Sequence, residues 1–369
     1  MNLNVWPTSK DHVARLLRFH ASTYYPKPDH SERDHQVSAF WKEQVPHIRA
    51  FSLDDSIAIM SSTTFRDPQS VRQLEVRLTR RESRLERFAR RIGRLAVFLP
   101  NAWWANVGYW MARVDRGIKF IGEAREHELA TRAFSKTCAL HPNALLRLDT
   151  LKEVPVLRDQ VIASPVLTLY VAYMVNVLGP YLLRDRVRGI LEIGPGSALL
   201  AVSLKTLLGC RFVLVDLPEV LNLAFAMLSC YAPESDIVLP NEIEEYGEAV
   251  WQRDFVLLCP EQVDLIPTGA LDSAINCSSF QEMTYPLIKS YFDLIDRCLR
   301  GGGLFYCLNE EKFSRHPDGS VVEFDKYPWS PEFRDLFYEE CEYWRGLKAD
   351  PRRHRLQVKG RNRVGNAGA

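Results

Sequence analysis

The hydrophobic pattern changes at residue 189, where short apolar runs begin to alternate with longer runs of helical spacing. Runs of four to eight buried residues are typical of strands in a parallel sheet. The predicted strands cover residues 189–194, 211–218, 254–260, 273–280 and 304–309, and the predicted helices cover residues 198–209, 219–232 and 285–300, with a glycine turn at 301–303. Strands that alternate with helices form parallel βαβ units. The pattern predicts an α/β chain with a Rossmann-like, doubly wound and mostly parallel sheet.

The first 150 residues contain little that resembles a strand. We therefore predict a helical N-terminal region over residues 1–150, with a role in substrate binding or oligomerisation, and a second domain with a C-terminal extension over residues 151–369. Between Val71 and Leu95 the apolar residues recur at spacings of three and four, as on a heptad seam. This helix is rich in arginine. It is either a solvated helix that packs on the protein, a homo-oligomer seam, or a basic face for an anionic substrate or a membrane.

A second apolar stretch, Leu95–Ala112, is about long enough to span a bilayer. It contains Pro100 and two asparagines, which favours a buried helical pair broken at the proline. Peripheral contact with a membrane surface is the alternative, because the arginine-rich helix precedes it.

Composition narrows the class of protein. Of 369 residues, 46% are hydrophobic and 25% are charged, which is typical of a globular protein with a sizeable core. The formal net charge is +1, so bulk electrostatics gives no reason to expect a nucleic-acid partner. The eight cysteines form no C-x-x-C pair, and the amino terminus lacks an apolar core of signal-peptide length. These features predict reduced thiols and a cytoplasmic location. We expect no metal, since no H-x-x-x-H or D-x-D spacing is found.

A glycine loop, "GPG", follows the first predicted strand at Gly194 and Gly196. Glycine lets the chain turn sharply and lets a ligand approach the backbone, which is typical of a nucleotide-cofactor loop. A dinucleotide-binding loop needs a third small residue three positions after the second glycine. That position is Leu199. The NAD fingerprint therefore fails where helix and strand must pack closest, and an NAD-dependent oxidoreductase is disfavoured.

Two carboxylates indicate a different cofactor. Glu192 precedes Gly194 by two positions, where its charge suits a cationic amino-acid group better than a pyrophosphate. Asp216 ends the second strand twenty residues after Gly196, where a carboxylate can accept hydrogen bonds from both ribose hydroxyls. Together with the glycines, these residues fit S-adenosylmethionine.

On these residues the chain resembles the class I S-adenosylmethionine-dependent methyltransferases, and more narrowly the bacterial family of sugar O-methyltransferases. The narrower resemblance is carried by "ILEIGPG" (190–196), "VLVDLPEVL" (213–221), "PEQVDLIP" (260–267) and "INCSSFQEM" (275–283), with weaker similarity in "FDKYPW" (324–329) and "HRL" (354–356). It covers roughly residues 163–356, and residues 1–130 match no family that we can name. It implies a methyltransferase domain over residues 151–369 and a sugar or glycoconjugate substrate.

The predicted site lies beyond the carboxyl ends of the strands. The predicted cofactor-binding residues are Glu192, Gly194, Gly196, Asp216, Leu217, Glu261, Gln262, Asn276 and Ser278. Methyl transfer to a sugar hydroxyl also needs a base within hydrogen-bond reach of the hydroxyl. Glu282, directly after the fourth strand, and His354, in a C-terminal segment that could fold over the pocket, are the two candidates.

The leading hypothesis is an S-adenosylmethionine-dependent O-methyltransferase that acts on a sugar hydroxyl in bacterial glycan or glycoconjugate biosynthesis. Two alternatives stay open. One is a methyltransferase for a small molecule that is not a sugar, and the other is a non-catalytic scaffolding protein that binds S-adenosylmethionine.

Overall fold

The computed structural model describes residues 2–7, 15, 48–53, 56–61, 127–316 and 318–361. The chain divides into two compact units, one of residues 2–61 and 130–369 and the other of residues 1 and 62–129. The predicted heptad helix, Val71–Leu95, and the stretch Leu95–Ala112 lie outside the described residues. The proposed roles of both in oligomerisation and membrane contact therefore stay predictions.

The described N-terminal residues form a small antiparallel sheet. Strands β1 (Asn2–Pro7), β2 (Ile48–Leu53) and β3 (Ser56–Ser61) pair in the order β1-β3-β2. The sequence predicted little strand in this region, so these three strands depart from that prediction. Strands β1 and β2 mix polar with apolar residues and lack the buried runs of the main sheet. The predicted division of the chain at residue 150 stays a prediction.

The main sheet has eight strands. They are β4 (Gly189–Ile193), β5 (Arg211–Val215), β6 (Ile237–Val238), β7 (Phe255–Leu258), β8 (Leu271–Cys277), β9 (Leu299–Glu310), β12 (Phe333–Glu340) and β13 (Arg352–Lys359). Their order is β12-β13-β9-β8-β4-β5-β7-β6. Strands β4 to β9 run parallel, whereas β13 is antiparallel to both of its neighbours. Strands β10 (Lys312–Phe313) and β11 (Val322–Glu323) form a separate antiparallel pair of two residues each.

Helices cover both faces of this sheet. They are α1 (Pro155–Ala163), α2 (Pro165–Arg184), α3 (Leu199–Leu208), α4 (Pro218–Tyr231), α5 (Ile243–Tyr246), α6 (Tyr285–Cys298) and α7 (Glu342–Leu347), and residues 127–140 are also helical. Short 3₁₀ helices lie at Leu151–Glu153, Gly247–Gln252, Pro260–Leu265, Phe280–Glu282 and Phe324–Lys326. Helix α3 ends at Gly209 in the left-handed conformation, and α4 begins with Pro218 at its first turn, as the sequence predicted.

Successive side chains of the central strands point to opposite faces of the sheet and therefore pack into two hydrophobic cores. In β4, Ile190 joins the core beneath α1 to α4, whereas Leu191 and Ile193 join the core beneath α6. Helix α2 is long and apolar enough to cross a membrane by length and composition, but most of it is buried in the first core. A helix of this kind is as typical of a protein interior as of a bilayer.

The Rossmann-like, doubly wound sheet is confirmed, and one local prediction is wrong. The glycines at 301–303 do not form a turn between helix and strand, because β9 already begins at Leu299. Leu299 pairs with Leu271, and the register shifts before Ser273 pairs with Leu304. The glycine run is therefore an irregularity inside one long strand, where Gly302 takes a φ of 84°.

Candidate functional site

A cavity of about 280 Å³ opens at the carboxyl end of the parallel strands. It lies where the strand order reverses, since β5 and β7 follow β4 on one side and β8 lies on its other side. Ligands of open α/β sheets bind at such a switch point. The cavity is lined by Ile193, Gly194, Pro195, Gly196, Val215, Asp216, Leu217, Val220, Pro260, Cys277, Ser278, Ser279, Glu282, Met283, Leu287 and Tyr291.

The two glycines of the loop have different surroundings. Gly194 has a φ of 70°, and a Cβ built on it would lie 2.2 Å from the Ser279 Oγ. Gly196 has a φ of 55°, and a Cβ built there would meet nothing within 4 Å. Gly194 is thus required by close packing of the protein itself. Gly196 instead leaves open space above its backbone, which a ligand can approach.

Asp216 lies at the end of β5 and is tied to the glycine loop. The Gly196 N–H donates to its Oδ2 over 3.1 Å, and the Leu217 N–H donates to its Oδ1 over 2.8 Å. Each carboxylate oxygen can accept a further hydrogen bond, so the group can still bind hydroxyls. Burial raises the pKa of Asp216 to about 7, although the two backbone donors act in the opposite direction.

Glu192 lies in β4, just before the loop, and is 3% exposed. Its Oε2 is buried and has no hydrogen-bond partner among the described residues. Burial, together with the smaller effect of the nearby Asp216 charge, raises the pKa of Glu192 to about 8. A buried carboxylate that lacks a partner is costly, and a cationic group bound above the loop would offset that cost. The residues at the loop therefore fit the cationic amino-acid end of S-adenosylmethionine.

Apolar side chains line the cavity around Asp216. They are Leu217, Val220, Pro260, Met283 and Leu287, together with the ring of Tyr291. The sequence placed Glu261 and Gln262 at this end, and neither lines the cavity. Glu261 is exposed. The Gln262 side chain accepts from the Cys259 N–H and donates to the Pro240 carbonyl, so it closes the start of a 3₁₀ helix instead.

Ser278 and Asn276, both predicted to bind the cofactor, have different positions. Ser278 lines the cavity and takes a φ of 63°, which is rare for a residue other than glycine. Asn276 is fully buried and does not line the cavity. Its amide donates to the Ile193 carbonyl over 3.0 Å and accepts from the Asn309 amide over 2.9 Å. Asn276 therefore fixes the end of β4 rather than contacting a ligand.

The two candidate bases are also separated. Glu282 lines the cavity, as predicted. The prediction that His354 lies in a segment folded over the pocket is wrong, because His354 lies inside β13 and is 1% exposed. Its Nδ1 lies 3.2 Å from the Tyr306 hydroxyl, and Tyr173 and Phe337 pack around its ring. Burial lowers the pKa of His354 to about 3.

Three residues beside Ser278 were missed from the sequence. Arg352 in β13 donates to the Ser278 Oγ, and the Tyr170 hydroxyl of α2 lies 3.3 Å from the same atom. Trp344 of α7 lies beneath the Arg352 guanidinium, 4.1 Å from it. In the sequence, only their side-chain types could have marked them as candidate site residues, because they are far from Ser278 along the chain. Within the described residues, no group of three or more His, Cys, Asp or Glu could hold a metal ion.

Comparison with known proteins finds structures of related fold only. No family model and no curated protein matches the chain. An O-methyltransferase from Bacillus cereus, solved with SAH, is similar at 15% identity and a TM-score of 0.37, covering 58% of this chain and 93% of its own. The phosphoethanolamine N-methyltransferase 1 of Haemonchus contortus, solved with phosphoethanolamine and S-adenosylhomocysteine, has 12% identity and a TM-score of 0.29, covering 50% of this chain and 41% of its own. The [4+2]-cyclase SpnF has 15% identity and a TM-score of 0.34, covering 50% and 80%.

These scores are low, so the fold assignment depends on the strand order of this chain. Parallel strands from β4 to β9, with the antiparallel β13 beside β9, form the sheet of the class I methyltransferase fold. A fold of this kind is shared by proteins of different function, so the residues of the site decide the reaction.

Proposed function

We propose that this chain is an S-adenosylmethionine-dependent O-methyltransferase whose acceptor is a sugar hydroxyl. The observation that carries the cofactor assignment is Glu192, a buried carboxylate with an unpartnered oxygen just before the glycine loop. An ammonium bound at this loop would be attracted by the ionised form of Glu192 and would favour that form, whereas a pyrophosphate would be repelled by it and would keep the group protonated.

Three parts of the cavity would hold the cofactor. The open space above Gly196 would take the amino-acid end, and Glu192, buried in β4 outside the cavity lining, would offer that end a counter-charge. Asp216 would accept hydrogen bonds from the ribose hydroxyls with the lone pairs that Gly196 and Leu217 leave free. The apolar side chains around Val220 and Tyr291 provide a surface for the flat base.

The bound cofactor supplies a methyl carbon that is activated by its sulfonium. The protein aligns the acceptor hydroxyl with that carbon and removes the hydroxyl proton. Glu282 is the carboxylate we assign to the proton, because it lines the cavity and His354 does not. The two carboxylates Glu192 and Asp216 are then left to the cofactor.

The sugar acceptor is supported by the resemblance of residues 190–196, 213–221, 260–267 and 275–283 to bacterial sugar O-methyltransferases. We further propose a cytoplasmic enzyme of glycan or glycoconjugate biosynthesis. The thiols support this location, since all eight cysteines are free and five of them are buried.

The proposal is tested by incubating the protein with S-adenosylmethionine and a panel of sugars, nucleotide sugars and glycan fragments. Mass spectrometry would then detect acceptors that gain one methyl group, and liquid chromatography would measure S-adenosylhomocysteine. We expect methylated product with the native protein and at least about a hundredfold less with Glu282→Gln. Methylation only of acceptors that are not sugars would overturn the sugar assignment. Tight cofactor binding without any methylated product would favour a scaffolding protein.

A further inference from the structure

A cluster of hydrogen-bond donors adjoins the cavity at Ser278. It consists of Tyr170, Ser278, Trp344 and Arg352, and we call it the Arg352 cluster. Ser278 belongs both to this cluster and to the cavity lining. The other three members come from three separate elements, namely α2, α7 and β13.

Arg352 is held firmly in this cluster. Its guanidinium carbon lies 4.1 Å from the centre of the Trp344 ring, a cation–π contact, and one of its terminal nitrogens donates to the Ser278 Oγ over 2.5 Å. The Tyr170 ring packs edge-on against Trp344 with 5.2 Å between centroids, and its hydroxyl lies 3.3 Å from the same Oγ. The planar guanidinium is therefore fixed in position before any ligand arrives, which suits bidentate recognition.

The charge of Arg352 is only partly compensated. Among the described residues it has one carboxylate contact, from its second terminal nitrogen to the Glu310 Oε1 at 3.3 Å. The same oxygen is only 2.5 Å from Arg315, so one carboxylate serves two guanidinium groups. Arg315 also lies 3.1 Å from Asp350, but Arg352 has no second carboxylate within the described residues. Arg352 is thus a nearly buried cation, with its side chain 13% exposed, that shares a single counter-charge.

The remaining members of the cluster also offer protons. The Trp344 Nε1–H is buried and has no hydrogen-bond partner in the part of the chain that the structure describes. Burial raises the pKa of the Tyr170 phenol far above its usual range, so the hydroxyl keeps its proton at neutral pH. Ser278 is held with its positive φ by the bond from its N–H to the Leu308 carbonyl, 2.7 Å long. Donors outnumber acceptors at this place, which is typical of a site for an anionic group.

We propose that the Arg352 cluster binds a carboxylate or phosphate group of the methyl acceptor and holds the acceptor against the Ser278 end of the cavity. In terms of the proposed function, on which this inference rests, the acceptor is a sugar acid or a sugar phosphate rather than a neutral sugar. The anionic group is bound by Arg352 and Ser278, with the ring of Trp344 as a stacking floor beneath the guanidinium.

The test uses the full chain and three probes, which are inorganic phosphate, glucuronate and glucose. Isothermal titration calorimetry measures the affinity of each for the native protein and for Arg352→Gln, with and without S-adenosylhomocysteine. We expect saturable millimolar binding of phosphate, glucuronate or both, weakened at least about tenfold in Arg352→Gln, and no preference for glucose. The matched control is Arg334→Gln, which removes an exposed arginine from β12 of the same sheet and should leave anion binding unchanged.

Preference for phosphate or for glucuronate identifies which of the two groups the acceptor carries. Absence of binding by both anions to the native protein overturns the proposal, as does equal binding in Arg352→Gln. If Arg352→Gln does not fold, as judged by circular dichroism, Arg352→Lys and Ser278→Ala provide the same comparison. Binding of S-adenosylhomocysteine is measured in parallel. Its failure would overturn the proposed function, while the anion titrations would still decide the Arg352 cluster.

Discussion

The Gly196 N–H donates a hydrogen bond to the Asp216 carboxylate over 3.1 Å, and this contact joins the glycine loop to the end of the neighbouring strand. The two residues are twenty positions apart and flank the cavity at the point where the strand order reverses. The bond fixes the carboxylate beside the open space above Gly196. A ligand bound there can therefore contact the glycine loop with one polar group and Asp216 with neighbouring hydroxyls.

Asp216→Asn removes the charge while keeping the shape of the side chain. We expect the affinity for S-adenosylmethionine to fall about 10- to 100-fold, since hydrogen bonds to a charged acceptor contribute roughly 1.5–3 kcal/mol. The free energy of unfolding at about pH 8 should fall, because the single amide oxygen of Asn cannot accept from both the Gly196 and the Leu217 N–H, and one of these donors loses its partner. Calorimetric titration and urea unfolding measure the two quantities. Glu261→Gln, an exposed carboxylate outside the cavity lining, is the control. Equal losses of affinity in both variants would refute the role of Asp216.

The two loop glycines should respond differently to alanine. In Gly194→Ala the new methyl would meet the Ser279 Oγ, so we expect a lower melting temperature and a loss of affinity together. In Gly196→Ala the methyl meets no protein atom, so the cost in stability should be limited to the positive φ, about 1–2 kcal/mol. Its methyl would instead occupy the space that we assign to the cofactor, and affinity should fall at least about tenfold. Gly196→Ala with native affinity would show that no ligand approaches this backbone.

Glu192 should make the stability of the ligand-free protein depend on pH. Its pKa is about 8 in the folded protein and ordinarily 4.5, so the folded state holds a proton that the unfolded state has released between these values. The free energy of unfolding therefore falls as the pH rises from 4.5 to 8, by up to about 1.4 kcal/mol per pH unit for this one group. Glu192→Gln should reduce that slope, as measured by urea unfolding across the same range. An unchanged slope would contradict the burial of an ionisable Glu192.

The same residue should couple cofactor binding to proton release. A cation bound above the loop favours the ionised form of Glu192, so binding near pH 7 should expel a proton. Calorimetry in two buffers of different ionisation enthalpy detects this proton. We expect fewer protons released and weaker binding in Glu192→Gln. If Glu192→Gln released as many protons as the native protein, the proton would be assigned to Asp216 instead.

His354 should affect acid stability rather than methyl transfer. Its pKa is about 3 in the folded protein and ordinarily 6.5, so the unfolded state binds the extra proton as the pH falls below 6.5. The native protein should lose stability between about pH 6.5 and pH 3, and His354→Gln should lose less over the same interval. Cofactor affinity should stay within about twofold of native in His354→Gln. If His354→Gln kept its native stability but lost much of its affinity for the cofactor, His354 would have to belong to the site.

The sheet and the part of the site formed by the glycine loop and Asp216 were predictable because their sequence signals are local. Buried runs of fixed length predicted β4 and β5, and a glycine pair with an acidic strand end predicted the loop and Asp216. Asn276 and Gln262 were misassigned for a physical reason. Both follow or end a strand near the cavity, but their side chains complete hydrogen bonds within the protein, to the Ile193 carbonyl and at the start of a 3₁₀ helix.

The other half of the site is assembled from distant parts of the chain. Tyr170 and Arg352 are 108 and 74 positions away from Ser278, which both of them contact. The arginines around His354 also hid the period-two pattern of β13, so a strand inside the sheet was taken for a segment folded over the pocket. Contacts of this kind depend on the sheet order, which a single sequence does not specify.

The central claim is that the cavity lined by Gly196 and Asp216 binds S-adenosylmethionine. Isothermal titration calorimetry of the full chain with S-adenosylmethionine and, separately, with NAD tests it most directly. We predict saturable binding of one S-adenosylmethionine per chain, weakened in Asp216→Asn, and no binding of NAD. Binding of NAD without binding of S-adenosylmethionine would contradict the account.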